Sequence, residues 1–379
     1  MDDELLYQVA LTMTPQIGPV QARMLVDYFG GASSVFSAKK QSLSQLANIG
    51  EIRAKSIKDF TDFKAAEKEL KFIEKYGITP LWFQDNRYPK RLLNCYDAPI
   101  LLYYKGKADL NTKSAVSIIG TRSQTDYGRQ VTERIVADLK DVQATIISGL
   151  ALGIDATAHK AALQEGLPTI AVLAHGLHTI YPAQHKTMAK DIVQHGGLLT
   201  EFASTEKPDK HNFPRRNRIV AGMSDATLVI ETAIKGGSMI TAEIANTYNR
   251  DVFAIPGRIT DTKSGGCNYL IRLNKASLIT DGKQLMEAMG WKQKPKIAIQ
   301  QRSLFPDLSD DEKKIVLLLQ EKELVHIDEL FSKLDMTGSS IAAAILNLEL
   351  MSVVSSMPGK LYKLLQKSIK NNGPSGEGR

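Results

Sequence analysis

Cysteine is almost missing from these 379 residues: Cys95 and Cys267 are the two present. They cannot build a disulfide framework, and they lack the ligand spacing of a zinc site. Long apolar runs are missing too. None reaches the roughly 18 residues of a membrane span, and the opening MDDELLYQVA has no basic segment ahead of an apolar one, so neither a secretory signal nor a membrane anchor is expected and the cytoplasm is the expected compartment. The catalytic signatures are equally thin. There is no GxxxxGK[ST] phosphate loop, no GxGxxG, no Ser-His-Asp order in a strand-turn context, and no pair of carboxylates spaced for acid–base work. These absences disfavour a P-loop NTPase, a nicotinamide dehydrogenase and a triad hydrolase. No catalytic residue, cofactor or metal ion is expected. What the chain does have is positive charge, 48 Lys and Arg against 41 Asp and Glu, a formal +7. That excess points to an anionic partner such as nucleic acid or a nucleotide, or to a merely solvated basic surface.

Residues 1–75 read as short helices with two similar turns, TPQIGPVQARML and LANIGEIRAKSI. They resemble helix-hairpin-helix or SAM-like modules, in which glycine lets a phosphate approach the backbone; the competing reading is that Gly18 and Gly50 only end helices. A connecting stretch, YPKRLLNCYDAPILLYYKG, follows. Across 80–290 the pattern becomes apolar, β-branched runs alternating with amphipathic helices: AVSIIG, ATIISG, PTIAVLA, GGLLTEF, ATLVIET and DVFAIP. That alternation predicts a Rossmann-like α/β domain with a parallel sheet covered on both faces. Residues 291–306 read as a linker without amphipathic period. Residues 307–370 read as three helices and a two-stranded wing, resembling a winged helix, and 371–379 as a disordered tail.

In sheets of this kind ligands bind beyond the carboxyl ends of the strands, where helix N-termini present free N–H groups. Five strand exits carry suitable residues. The first is Gly120-Thr121-Arg122, a tight turn with a guanidinium that can fork onto phosphate. The second, Ser148 to Asp155, spaces Gly149 and Gly153 before a helix. The third holds His175, Tyr181 and His185, whose imidazoles read more readily as structural than as ligands. The fourth is HNFPRRNRIVAG, where Phe213 can stack a base while Lys210, Arg215 and Arg218 meet phosphates and Asn217 stands between them. Pairing of some of these arginines with Glu201, Asp225 or Glu231 is the alternative, and at least one such pair is expected. The fifth, Lys235-Gly236-Gly237-Ser238, opens a helix and forms an anion-binding nest.

Taken in order, GTRSQTDYG, SGLALGIDATAH, HGLHTIYPAQH, FPRRNRIVAG, VIETAIKGGSMITAEIA and AIPGRITDTKSGGCNYLI resemble the DNA-processing protein A (DprA/Smf) family over roughly residues 80–285. The resemblance implies a mediator that binds single-stranded DNA, protects incoming DNA during natural transformation and loads the recombinase RecA, without catalysis. It implies that Arg122 meets phosphates, that Lys210 and Phe213 contact the strand, and that Gly149, Gly153 and Asp155 shape the same pocket. It also implies a homodimer formed tail to tail near Leu270 and Ile271. Ala183 stands where many members carry a lysine after Tyr-Pro, with Lys186 as the nearest substitute. A second reading is a nucleotide sensor or nucleoside-monophosphate hydrolase on a related fold, with Glu231 or Glu243 as its acid or base. The winged helix is poorly equipped to grip DNA, because between Met336 and Pro358 there is no Lys or Arg and Glu349 is the only charge. It is expected to bind protein or its own chain.

Overall fold

A computed structural model describes residues 3–291 and 308–365, except 323, 352 and 358. The expected linker, apart from Trp291, and the tail lie outside the described residues. The chain divides into two compact units, Met1–Lys294 and Pro295–Arg379.

The first unit opens with six helices: α1 (Asp3–Met13), α2 (Pro19–Phe29), α3 (Ala32–Ser37), α4 (Lys40–Ser44), α5 (Gly50–Lys58) and α6 (Phe63–Tyr76). Local signals set their ends. Pro19 occupies the first position of α2, where its missing N–H costs nothing. The Asp62 side chain accepts the Ala65 N–H at the start of α6, and Gly77 closes that helix in the left-handed region, φ +58°. The buried face of α6 is Ala66, Glu69, Leu70 and Ile73.

Then come β1 (Thr79–Trp82), α7 (Lys90–Leu93), β2 (Leu101–Gly106), β3 (Ala115–Ile119), α8 (Asp126–Asp138), β4 (Thr145–Ser148), α9 (Ile154–Gln164), β5 (Thr169–Val172), α10 (Lys186–His195), β6 (Gly197–Thr200), α11 (Asn212–Gly222), β7 (Ala226–Val229), α12 (Gly237–Thr247), β8 (Asp251–Ala254), α13 (Gly265–Arg272), β9 (Ser277–Leu278) and α14 (Gly282–Ala288). The described strands form a nine-stranded sheet in the order β1-β2-β6-β5-β4-β3-β7-β8-β9. From β6 to β9 all neighbours are parallel. At the other end β2 runs antiparallel to both β1 and β6. The expected connecting stretch therefore contains a strand, and the sheet is mixed at one edge.

Side chains alternate across β3. Val116 and Ile118 join a core with Ile135, Ala158 and Leu228, while Ala115 and Ile119 face a second core. That second core also contains Val9, Leu25, Leu70 and Leu102, so the helical front and one face of the sheet share a continuous apolar interior. Glu69 adds a polar tie. It is 3% exposed and accepts hydrogen bonds at 2.9 Å from the Ser204 N–H, on the loop after β6.

β3 lies between β4 and β7, and the chain leaves it on one side and returns on the other. That change of direction opens a crevice at the carboxyl ends of the strands.

The second unit contains α15 (Asp310–Glu321), β10 (Val325–His326), α16 (Ile327–Lys333), α17 (Gly338–Leu350), β11 (Val354–Met357) and β12 (Leu361–Leu364), with its strands ordered β10-β12-β11. Ser309 and Glu312 form a reciprocal capping box at the start of α15. Ile315, Leu319, Leu330, Ile341, Leu348 and Val354 fill the core. The arrangement is a winged helix. Leu346 and Leu350 on α17 stand exposed.

Candidate nucleic-acid interface

A cleft of about 460 Å³ opens at the crevice, walled by the exits of β3, β4 and β7 and by one face of α11. Gly120, Arg122, Gly149, Asp155, Lys210, Phe213, Asn217, Gly237 and Ser238 all line it.

Helical periodicity decides which residues of HNFPRRNRIVAG reach the cleft. Phe213, Arg216, Asn217 and Val220 are spaced i, i+3, i+4, i+7 and form one face of α11. Arg215 and Arg218 fall on another. Arg218 is almost buried, bonded to Glu201 at 2.5 Å and to the Asp97 carbonyl. Arg215 lies 3.7 Å from the same carboxylate, its guanidinium 4.8 Å from the centre of the Phe202 ring. The structure thus corrects the expectation that Arg218 meets phosphates, since Glu201 holds it inside the chain, while Arg215 stays exposed outside the cleft wall. At least one such pair was expected; Arg216 was not named among the site residues.

Arg216 is 4% exposed and donates to the carbonyls of Gly149 and of Val172, the latter at 2.6 Å. Burial pulls its pKa down to about 10; Asp155 opposes that shift and Arg122 adds to it. Asp155 is buried beside it, and burial pushes its carboxyl above the ordinary range against the pull of Arg216. The same carboxylate accepts the Gly149 N–H at 3.1 Å and the Ala151 N–H at 3.3 Å. These two residues brace the floor of the cleft. Two glycines make room for that bracing. A Cβ on Gly149 would meet the Arg216 guanidinium, and Gly153, at φ +76°, would meet the Thr121 carbonyl. Gly153 and Ser148 do not line the cleft. Ser148 is fully buried, donating to the Ile118 carbonyl at 2.6 Å.

Above the floor the chemistry is cationic and aromatic. The Arg122 guanidinium lies 5.1 Å from the centroid of the Phe213 ring, and the Tyr181 ring lies 6.3 Å from Phe213 at 50°. Arg122 and Lys210 have no carboxylate partner among the described residues, so their charge faces the opening. Ser238, in the first turn of α12, keeps a buried hydroxyl without a hydrogen-bond partner. It sits among backbone N–H groups that a helix start leaves free. Lys235 is exposed on the turn before α12 but outside the cleft wall.

The carboxylates of the hydrolase reading lie elsewhere. Glu231 accepts the Thr125 N–H at 2.9 Å and the Thr125 hydroxyl, and Glu243 pairs with Lys275 at 2.7 Å. Neither lines the cleft. His175 and His185 are buried, their Nδ1 atoms 2.9 Å from the carbonyls of Gly176 and Leu150. Leu270 requires a further correction. It is 0% exposed in the chain's own core, so its side chain has no surface to offer a second subunit. Ile271 beside it is partly buried. No described helix is long and apolar enough to cross a membrane.

Comparison with known proteins places this geometry. The family described as DNA recombination-mediator protein A matches residues 79–290, and the winged helix domain of DprA matches residues 301–360. Protein Smf of a Synechocystis strain is 32% identical, across 96% of this chain and 99% of its own length. The DNA processing protein DprA of Streptococcus pneumoniae is 43% identical across 53% of this chain and 71% of its own length. The crystal structure of S. pneumoniae DNA processing protein A is similar with a TM-score of 0.61 and 33% identity, covering 74% of this chain and 97% of that one. A Helicobacter pylori DNA processing protein A structure, described for its single-stranded DNA binding mode, has a TM-score of 0.52 at 32% identity, covering 56% and 96%.

Proposed function

The chain belongs to the DNA recombination-mediator protein A family, also called DprA or Smf, and from that membership we propose that the cleft grips single-stranded DNA, protects it during natural transformation and presents it to RecA. The observation that carries this reading is the unpaired Arg122 stacked beside Phe213 at the sheet's switch point. A guanidinium neutralises a phosphate while a ring 5.1 Å away offers its face to a base, the combination a sequence-tolerant single-strand binder uses. Lys210 supplies a second cation, and the Ser238 hydroxyl with the α12 N-terminus supplies neutral donors to the same anion. The role needs no bond chemistry, and the two carboxylates a hydrolase would use are committed outside the cleft.

In this proposal the protein works as a homodimer through the sheet domain, which joins two clefts into a longer path, and RecA is its protein partner. The deciding experiment compares oligothymidine with AMP across a salt series. A mediator binds the oligomer with a log–log salt slope of roughly −0.7 per phosphate contacted, and Arg122→Ala with Lys210→Ala flattens that slope. Strong AMP binding with no preference for the oligomer would sink the reading. RecA loading is tested by recombinase filament assembly on strand already coated with single-strand-binding protein.

A further inference from the structure

The exit of β8, residues 255–264, is the next loop along the carboxyl edge after those that form the cleft, because β8 pairs with β7 and β7 with β3. It is fastened to those loops. The Lys263 ammonium donates to the Ser123 carbonyl, on the turn that carries Arg122. The Tyr127 hydroxyl donates to the Pro256 carbonyl at 2.9 Å, and the Gly266 N–H, just past the loop, donates to the Thr232 carbonyl at 2.8 Å. Arg258 is exposed with no carboxylate partner among the described residues, and Ile259 is 97% exposed. Lys235 on the neighbouring turn is also exposed and unpaired, and Asp261 is the loop's one carboxylate. On the opposite side, the loop after β6 carries the exposed carboxylates Glu206 and Asp209, and Glu201 is already paired with Arg218.

We propose that a strand held in the cleft continues over the β8 exit, where Arg258 and Lys263 take its next phosphates and Ile259 covers a base. The inference rests on the reading that the cleft binds single-stranded DNA. It extends that path by two strand spacings beyond β3, roughly 10 Å. The direction follows from charge. The β8 loop carries Arg258 and Lys263 against the single carboxylate Asp261, with no ion pair to either cation among the described residues. The loop after β6 instead exposes two carboxylates, Glu206 and Asp209, that repel a phosphate chain. A fully exposed isoleucine beside two cations suits a ligand that alternates phosphate with apolar base faces.

The test measures binding of full-length protein to oligothymidines of about 6 and about 15 nucleotides, lengths that bracket a single short site. Replacing both Arg258 and Lys263 by alanine removes two phosphate contacts. Between 0.05 and 0.2 M salt the longer oligomer then loses about sevenfold less affinity than it does with the parent, while the shorter one behaves as before. Unchanged binding of both lengths overturns the inference and leaves the cleft in place, as Arg122→Ala on the short oligomer would verify. Equal losses on both lengths also overturn it, since Lys263 would then be a prop for the Arg122 turn; Arg258→Ala alone, which touches no such prop, must still weaken the longer oligomer. If the short oligomer ignores Arg122→Ala, the fault lies with the cleft reading itself.

Discussion

The stack of Arg122 on Phe213 gives a prediction that separates two kinds of contact within one site. Truncating Phe213 to alanine removes a base platform worth roughly 1 to 3 kcal/mol, a loss of about fivefold to more than a hundredfold in affinity. Because no charge is removed, the salt slope keeps its parent value. Arg122→Ala does the reverse: one phosphate contact disappears and the log–log slope shrinks by about 0.7. The guanidinium stands 5.1 Å from the ring centroid, close enough for a cation–π attraction of about 0.5 to 1 kcal/mol in a partly open site. That contact already exists in the free chain, so where the complex keeps it, it cancels from the binding free energy, and the double variant should lose about the sum of the two single losses. Fluorescence anisotropy of a labelled oligothymidine at four or five salt concentrations yields both quantities. A slope that moves with Phe213→Ala, or one that keeps its parent value in Arg122→Ala, would refute the assignment of phosphate to Arg122 and base to Phe213.

Three further outcomes concern the scaffold. Arg216→Met leaves the Asp155 carboxylate and two carbonyls inside the chain without their cation, so stability falls by about 3 to 5 kcal/mol, read from denaturant unfolding. His159 is fully buried, its Nδ1 2.7 Å from the Thr169 hydroxyl and its pKa pulled down to about 3 by burial and by the nearby His185 and Arg216. The unfolded chain takes up that proton near pH 6.5 and the folded chain does not. Stability therefore declines as pH drops from about 6.5 toward 3, by up to roughly 1.4 kcal/mol per unit, and melting curves of His159→Gln should show a shallower decline. Leu270→Ala should cost about 2 to 5 kcal/mol as a core cavity; a melting temperature whose loss depended on protein concentration would instead restore Leu270 to a subunit contact.

The alternation of apolar runs with amphipathic helices was enough to foresee the parallel sheet, because strands buried on both faces must be mostly apolar, and β3, β4, β5 and β7 are buried throughout with only small Ser and Thr among their apolar residues. Strand β2 escaped because ILLYY follows a segment rich in turn residues and has no helix after it; its partner β1 is antiparallel, a pairing that needs no crossover. The placement of Arg122, Lys210 and Phe213 around one cleft was legible because Arg122 stands at a strand exit and the other two around the start of the helix that follows β6. The roles of Arg215, Arg216 and Arg218 were not. Three arginines in four positions are chemically alike, and only the rotation of α11 decides that Arg216 faces the cleft while its neighbours face Glu201. Applying a 3.6-residue period from Phe213 would have found the stripe. Leu270 was misplaced for a related reason: in an eight-residue helix that covers the sheet, an apolar pair has one inward member.

The common interior of the helical front and the sheet has a practical outcome for anyone dissecting this protein. Cutting the chain near residue 76 would unroof one edge of the sheet, stripping Leu102 on β2 of the helix that packs on it and freeing the loop that Glu69 holds at Ser204. A sample trimmed there would clump or loosen, and its silence toward DNA would say nothing about whether the first six helices ever touch a strand.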